Sequence, residues 1–377
     1  MESQRPLGTD GDQVILSLCL GVGAALLLPL QARDSARIEK IAEGVYAIIH
    51  PDATHDWPSG AVNWPHGNTG VVIGTDGVLV IDATYYPSRA RADIALIRSL
   101  TSKPVRYLFN THWHGDHTHG NAEYLDAFPG LTIVGPRPNA EFIALNQARV
   151  LGLARAPQSV KRTDLARLEA ARAAGKDSTG QAFSASSRAL LEQAVSEAKT
   201  ELAELLTIRI APPTLLFDRE LQLDLGGRVV VLRNWDRANS PADATAYLPV
   251  EKVLFAGDIV VHPVPYVFGA YPGPWIPVLR QLEDIPVAAL VPGHGPVLRD
   301  HAYTRQVREL LEAAMSEVAA LVRQGKTLQE VQATVTLDAF RARFVTGSDP
   351  TPPEVWTQSI RAGLVERAFW CVTGSRC

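Results

Sequence analysis

Cysteine is scarce, with three residues in a chain of 377: Cys19, Cys371 and Cys377. At those spacings they build neither a disulfide framework nor a cysteine zinc ribbon, so a bound metal must rest on histidine and carboxylate. A surplus of either charge is equally lacking. With 36 Lys and Arg against 40 Asp and Glu the formal charge is -4, which leaves no basic excess for displacing counterions from a phosphate backbone, and nucleic acid is not an expected partner. Glycine and proline are unremarkable at 28 and 26 residues, which excludes a collagen-like or low-complexity chain, and no repeat at solenoid periods is visible. What is there is apolar material for a core, 46% hydrophobic against 20% charged. The length suits one large domain or about two ordinary ones.

Long hydrophobic runs are confined to Val14–Leu30, which is uncharged and is followed by Gln31, Ala32 and the charges of Arg33 and Asp34. This run marks residues 1–32 as a signal peptide or membrane anchor, which makes the mature chain exported, periplasmic or membrane-anchored. Glu2, Asp10 and Asp12 against Arg5 are an unusual start for an export signal. Once that segment is removed, Cys371 and Cys377 remain and could close a small loop in an oxidising compartment.

From Val45 to Val134, short apolar runs read as strands at Val45–Ile49, Val71–Ile73, Val78–Ile81, Val105–Phe109 and Leu131–Val134, with Thr75-Asp76-Gly77 as a turn and a helix over Arg89–Leu100. The same grammar returns at Leu215–Phe217, Leu221–Leu225, Val229–Leu232, Thr245–Leu248, Val253–Ala256 and Ala288–Val291. Two such halves predict two packed sheets with helices outside. Between them, over about 139–206, the strand signal gives way to an inserted helical hairpin broken at Gly175–Gly180, which either packs on the domain or a partner subunit of a homo-oligomer, or covers a substrate. Val307, Leu310, Leu311, Ala314, Val318, Leu321 and Val322 stripe one more helix ending at Gly325, and Thr327 with Glu330 forms a capping box for the next, so residues 302–377 read as a helical extension.

The chemistry is concentrated after the strand ending at Phe109: Thr111-His112-Trp113-His114-Gly115-Asp116-His117. In extended chain, residues two apart face the same way, so His112 and His114 converge, while Gly115 lets the backbone turn and present Asp116 and His117 to a neighbouring point. Such a loop can hold two cations. A lone histidine is commonly a core or surface residue, whereas three with an aspartate at fixed spacing form a ligand pattern.

This motif resembles the His-x-His-x-Asp-His hallmark of the metallo-β-lactamase-fold superfamily. The resemblance runs from about Ile41 to His301. Gly77–Asp82 looks like the buried strand ending in a supporting aspartate, Leu254–Asp258 like the strand carrying a bridging carboxylate, and Pro292-Gly293-His294-Gly295 like the loop carrying the last histidine. It implies an αββα sandwich over residues 38–301 with metals at one edge. His112 and His114 would serve the first metal, Asp116, His117 and His294 the second, and Asp258 both. Zinc suits imidazole and carboxylate, with one or two ions, although such ligands leave iron or manganese open.

One position departs from the family pattern. The family's third first-site histidine aligns with Asn239 in Arg237–Asp243, and no histidine occurs anywhere from Gly120 to Val261. An amide oxygen is a weaker donor than imidazole, so Asn239 is a weak ligand and the first site should bind less tightly; His119 or His262 are the candidate substitutes. Two loops are candidate substrate walls: one carries His55, Trp57, Trp64 and His66, the other His262, Tyr266, Phe268 and Trp275. The expected activity is a metallo-hydrolase, with a metal-bound hydroxide attacking an ester, lactone, thioester or cyclic amide such as a β-lactam, and Asp116 orienting it or taking its proton. An iron-dependent redox enzyme on the same fold and a non-catalytic metal- or ligand-binding protein are the alternatives, and the expected partner is a small-molecule substrate.

Overall fold

The computed structural model describes residues 36–50, 66–176, 180–344, 356–375 and 377. The apolar run at 14–30, His55, Trp57 and Trp64 lie outside the described residues, and no described helix is long and apolar enough to cross a membrane.

Strands β1 (Arg37–Ala42), β2 (Val45–Ile49), β3 (Thr69–Ile73) and β4 (Val78–Ile81) form an antiparallel run. Helix α1 (Pro87–Leu100) carries the chain back so that β5 (Val105–Phe109) pairs parallel to β4. The short helices α2 (Gly115–Thr118) and α3 (Asn121–Ala127) lead to β6 (Thr132–Pro136). Helices α4 (Arg137–Val150), continued by a π turn over Leu151–Arg155, α5 (Val160–Ala174) and α6 (Ala185–Thr207) intervene before β7 (Leu215–Phe217) completes this seven-stranded sheet. The second sheet has five strands: β8 (Glu220–Asp224), β9 (Val229–Asn234), β10 (Ala244–Leu248) and β11 (Val253–Val261) are antiparallel. After α7 (Pro272–Glu283), β12 (Ala289–His294) joins β11 in parallel. Helices α8 (Ala302–Arg323), α9 (Leu328–Thr334) and α10 (Asp338–Phe344), a π turn over Trp356–Leu364 and α11 (Val365–Val372) follow.

The period of two along each strand builds four layers. In β4, Leu79 and Ile81 point into the space between the sheets, where they meet Leu232, Leu248 and Phe255 of the second sheet. Val78 and Val80 point the other way, onto Ile94 and Ile97 of α1. In β11, Val253 and Phe255 face the inter-sheet core while Leu254 and Ala256 face α7, α8 and the terminal helices. Both central strands are therefore buried on both faces and read as continuous apolar runs. The result is a helix–sheet–sheet–helix sandwich with added C-terminal helices.

Strand β1, the short helices α2 and α3, and helix α7 were not anticipated from the sequence, and α7 moves Trp275 off the expected substrate wall. Pro272 occupies the first turn of α7, where a missing N–H costs nothing. The helix buries Trp275 completely in the helical core, its indole N–H donating to the Ile259 carbonyl at 3.2 Å. The capping box at Thr327 and Glu330 is formed, and Gly175 ends α5 in the left-handed conformation. Cys371 and Cys377 are disulfide-bonded. Their sulfurs pack on Gly273 at the start of α7, while Arg237 donates to the Cys377 carbonyl at 2.6 Å and Arg367 to the Phe268 carbonyl.

Candidate metal centre

The centre is built at the sheet ends, and Asp82 organises it. This residue follows β4 with φ of 63°, a left-handed conformation that aspartate tolerates better than most side chains. Its carboxylate accepts from the Thr111 N–H, the Thr111 hydroxyl and His117 Nδ1, each at 2.8 Å. Because that hydroxyl donates to Asp82, it accepts from His112 Nδ1 at 3.1 Å. One buried carboxylate thus sets the tautomer of two rings, one directly and one through Thr111, and leaves both Nε2 lone pairs directed away from it.

Those lone pairs face Asp258, which stands on β11 with Nε2 of His112 at 3.5 Å from Oδ2 and Nε2 of His117 at 3.3 Å from Oδ1. Two glycines permit the approach. A Cβ at Gly257 would meet Thr111 at 2.7 Å, and one at Gly293 would collide with Asp258 itself. His294, ending β12, brings Nε2 to 3.1 Å from His117 Nε2, 3.1 Å from Asp116 Oδ2 and 3.4 Å from Asp258 Oδ1. His114 Nδ1 lies 2.9 Å from His112 Nε2. Ligand atoms of Asp116, His117, Asp258 and His294 form one group and those of His112, His114 and Asp258 a second, each within 4.8 Å, with Asp258 in both. The edge is stitched by Asn68, whose N–H donates to Gly293 and whose amide donates to Pro292 and Gly295.

The electrostatics ask for positive charge between these side chains. Burial opposes charge throughout, yet His117 and His294 outweigh it and hold Asp116 and Asp258 well below the ordinary carboxylate range. In return, and against burial, the carboxylates raise His117 well above its usual value and His294 to about 9. His112 is pushed well down by burial and by His117, and His114 is lowered chiefly by burial. Neither oxygen of the buried Asp258 carboxylate has a hydrogen-bond donor, a costly arrangement for an anion in a protein interior. Paired Nε2 atoms facing one another beside a buried carboxylate form a donor set that could hold a divalent cation, and imidazole with carboxylate suits zinc among other such ions.

The remaining expected site residues fall into two groups. Asn239 is buried on the loop between β9 and β10, and its amide nitrogen donates to the carbonyl of Tyr266, whose ring packs 4.8 Å from that of His294. His66 is buried beside Gly67, which bridges to His294, and Phe268 is exposed. His119 and His262 belong to neither group. His119 lies under Gly115 and beside Tyr85, its value pulled to about 4 chiefly by burial. The His262 ring packs on Tyr303. Thr111, Asn68 and the Trp113 surroundings were not singled out beforehand; Thr111, adjoining the first histidine at a strand end, was the one with a visible cue.

A family model described as the metallo-beta-lactamase superfamily matches residues 62–317. The chain belongs to the metallo-beta-lactamase superfamily. Among solved structures it is similar to a metallo-beta-lactamase from Pontibacter korlensis, at 16% identity and TM-score 0.51, over 73% of this chain and 98% of that one. It is also similar to the stereoselective inverting sec-alkylsulfatase Pisa1 from Pseudomonas sp., at 15% identity and TM-score 0.56, over 89% of this chain. This match spans half the length of the sulfatase. At such identities these likenesses define the fold.

Proposed function

We propose that the protein is a metal-dependent hydrolase, most simply a zinc enzyme, acting on an ester, lactone, thioester, cyclic amide or sulfate ester. A divalent cation held by His112, His114, Asp116, His117, Asp258 and His294 would supply Lewis acidity and bring the pKa of water toward neutrality. The chain's own residues supply the rest. The observation that carries the reading is the division of labour between two carboxylates: Asp258 is sealed, its side chain fully buried, whereas Asp116 is 23% exposed. A sealed anion is suited to holding cations. An anion open on one side is suited to orienting water and taking its proton. Asp82 and Thr111 keep the two rings in the binding tautomer, and Tyr266 walls the His294 side.

Export, with the 1–32 segment as signal or anchor, accords with the disulfide between Cys371 and Cys377, since such bonds persist in oxidising compartments. The α5–α6 hairpin is proposed as packing or an assembly surface. The test is metal analysis of the purified protein together with a panel of aryl esters, lactones, β-lactams and alkyl sulfates. Turnover that is removed by chelation and restored by zinc supports the hydrolase; activity restored by iron alone, or none with metal bound, would favour redox or binding roles.

A further inference from the structure

The function above leaves unused a cation that packs against the metal-binding loop. Helix α4 presents Phe142, Asn146 and Arg149 along one face, at the spacing of successive helical turns, and all three engage Trp113. The Phe142 ring lies 5.9 Å from the indole, Asn146 donates to the Trp113 carbonyl at 2.8 Å, and the Arg149 guanidinium lies 4.7 Å over the ring. Trp113 stands between His112 and His114, and its indole is 5.1 Å from the His114 ring. Arg149 is therefore docked against the metal-binding loop on the His114 side. It has no carboxylate partner among the described residues, whereas Arg155 donates to the Ile208 carbonyl and Arg209 pairs with Asp126. Its side chain is exposed.

Contact with Trp113 holds the guanidinium carbon over the ring while the side chain stays exposed, and a guanidinium is a planar fork of donors that takes an oxyanion in two hydrogen bonds. Resting on the hydrolase reading, we infer that Arg149 selects substrates carrying an oxyanion, a carboxylate or a sulfate, on the His114 side of the centre. The insertion then contributes specificity through α4, quite apart from what α5 and α6 do.

The test uses zinc-loaded protein of measured metal content with three chromogenic substrates sharing one leaving group: p-nitrophenyl acetate, p-nitrophenyl hemiglutarate and p-nitrophenyl sulfate. The readout is the ratio of kcat/KM for each anionic substrate to that for the neutral acetate. Arg149→Met, which keeps an apolar chain over Trp113, should lower at least one ratio roughly tenfold to a hundredfold, the size of a hydrogen bond to a charged group. Arg149→Lys, keeping the charge without the fork, should recover part of it. Loss on hemiglutarate alone places the anion on the acyl tail, and loss on the sulfate alone places it at the reacting group. Equal loss on all three substrates, or no change in either ratio at unchanged metal content, overturns the inference. If the wild type cleaves none of them, the hydrolase reading fails for these esters, and Arg149 is judged by calorimetric binding of monoethyl glutarate. A Kd weakened at least about tenfold in Arg149→Met supports the inference; equal binding, or none by the wild type, overturns it.

Discussion

Asp82 is the most instructive residue to alter because it touches no candidate cation position and yet sets the chemistry of two ligands. In Asp82→Asn the backbone is undisturbed, since asparagine accepts a φ of 63° at least as readily as aspartate. The retained oxygen can still accept from the Thr111 N–H. An NH2 group now stands where Oδ2 had accepted from both the Thr111 hydroxyl and His117 Nδ1. Donor faces donor, and His117 resolves the clash by accepting at Nδ1, which moves its proton to Nε2, the atom aimed at Asp116, Asp258 and His294. One ligand of the group formed by Asp116, His117, Asp258 and His294 is lost by tautomer alone. Outer partners of this kind typically control metal affinity by about 10- to 100-fold, or about 1.4 to 2.8 kcal/mol. Competition for zinc against a chromophoric chelator, run beside thermal melts of the metal-free protein, measures both sides of the claim. Weaker zinc binding with a melting temperature near wild type is expected. Wild-type zinc affinity in Asp82→Asn would refute the tautomer argument, and a collapsed metal-free melt would show that Asp82 acts through folding instead.

Asp116→Asn and Asp258→Asn should fail differently: at saturating zinc the second should regain more activity, because its defect is retention, whereas loss of a proton acceptor costs on the order of a hundredfold in rate even with metal bound. Equal inactivity at equal metal content would show that the proton role is misassigned. At limiting zinc, occupancy nearer one ion than two per chain is expected, with Asn239→His raising it; two tightly held ions in the unaltered protein would contradict Asn239 as a weak position. Because the folded value of His294, about 9, lies above its ordinary 6.5, its contribution to stability is complete below about pH 6.5 and disappears as pH rises through 9. Chelator-treated protein should therefore become easier to denature as pH rises from about 6.5 to 9, and zinc should abolish the trend. Asp243, held up at about 7 by burial, overlaps only the lower end of that window, so the part above about pH 8 reports on His294. Deleting residues 159–199 with a flexible closure should reduce stability or assembly more than metal content, and a folded deletion with altered substrate preference would instead favour a covering role for α5 and α6.

What could be read from the sequence depended on how local the determining physics is. Val78–Ile81 was legible as a strand because it is buried on both faces, so every residue is apolar and a turn precedes it. Arg37–Ala42 was not: as an edge strand it alternates Arg37, Glu39 and Lys40 with apolar residues and looks like charged linker, which is how edges avoid pairing with other chains. Pro272-Gly273-Pro274-Trp275 looked like stiffened loop because proline breaks helices in the interior, whereas here Pro272 sits at the tolerated first turn. The spacing from His112 to His117 is a property of one short stretch and could be read directly. That Thr111 relays Asp82 to His112, that Asn239 turns to the Tyr266 carbonyl, or that Arg149 lies over Trp113 depends on loops and helices converging in space, which residue spacing does not encode.

The fastening of the chain's last helix bears on how damage to this protein would present itself. Cys377 holds Arg237, two residues from Asn239, while Arg367 holds Phe268, two residues from Tyr266 and its ring on His294. A random mutagenesis screen scored only by loss of metal-dependent activity should therefore return a second cluster of hits around residues 365–377. Those hits would carry no ligand and no reacting group. Ranked by distance along the chain they would look like unrelated stability defects, and ranked by which loops they clasp they would group with lesions of the centre itself.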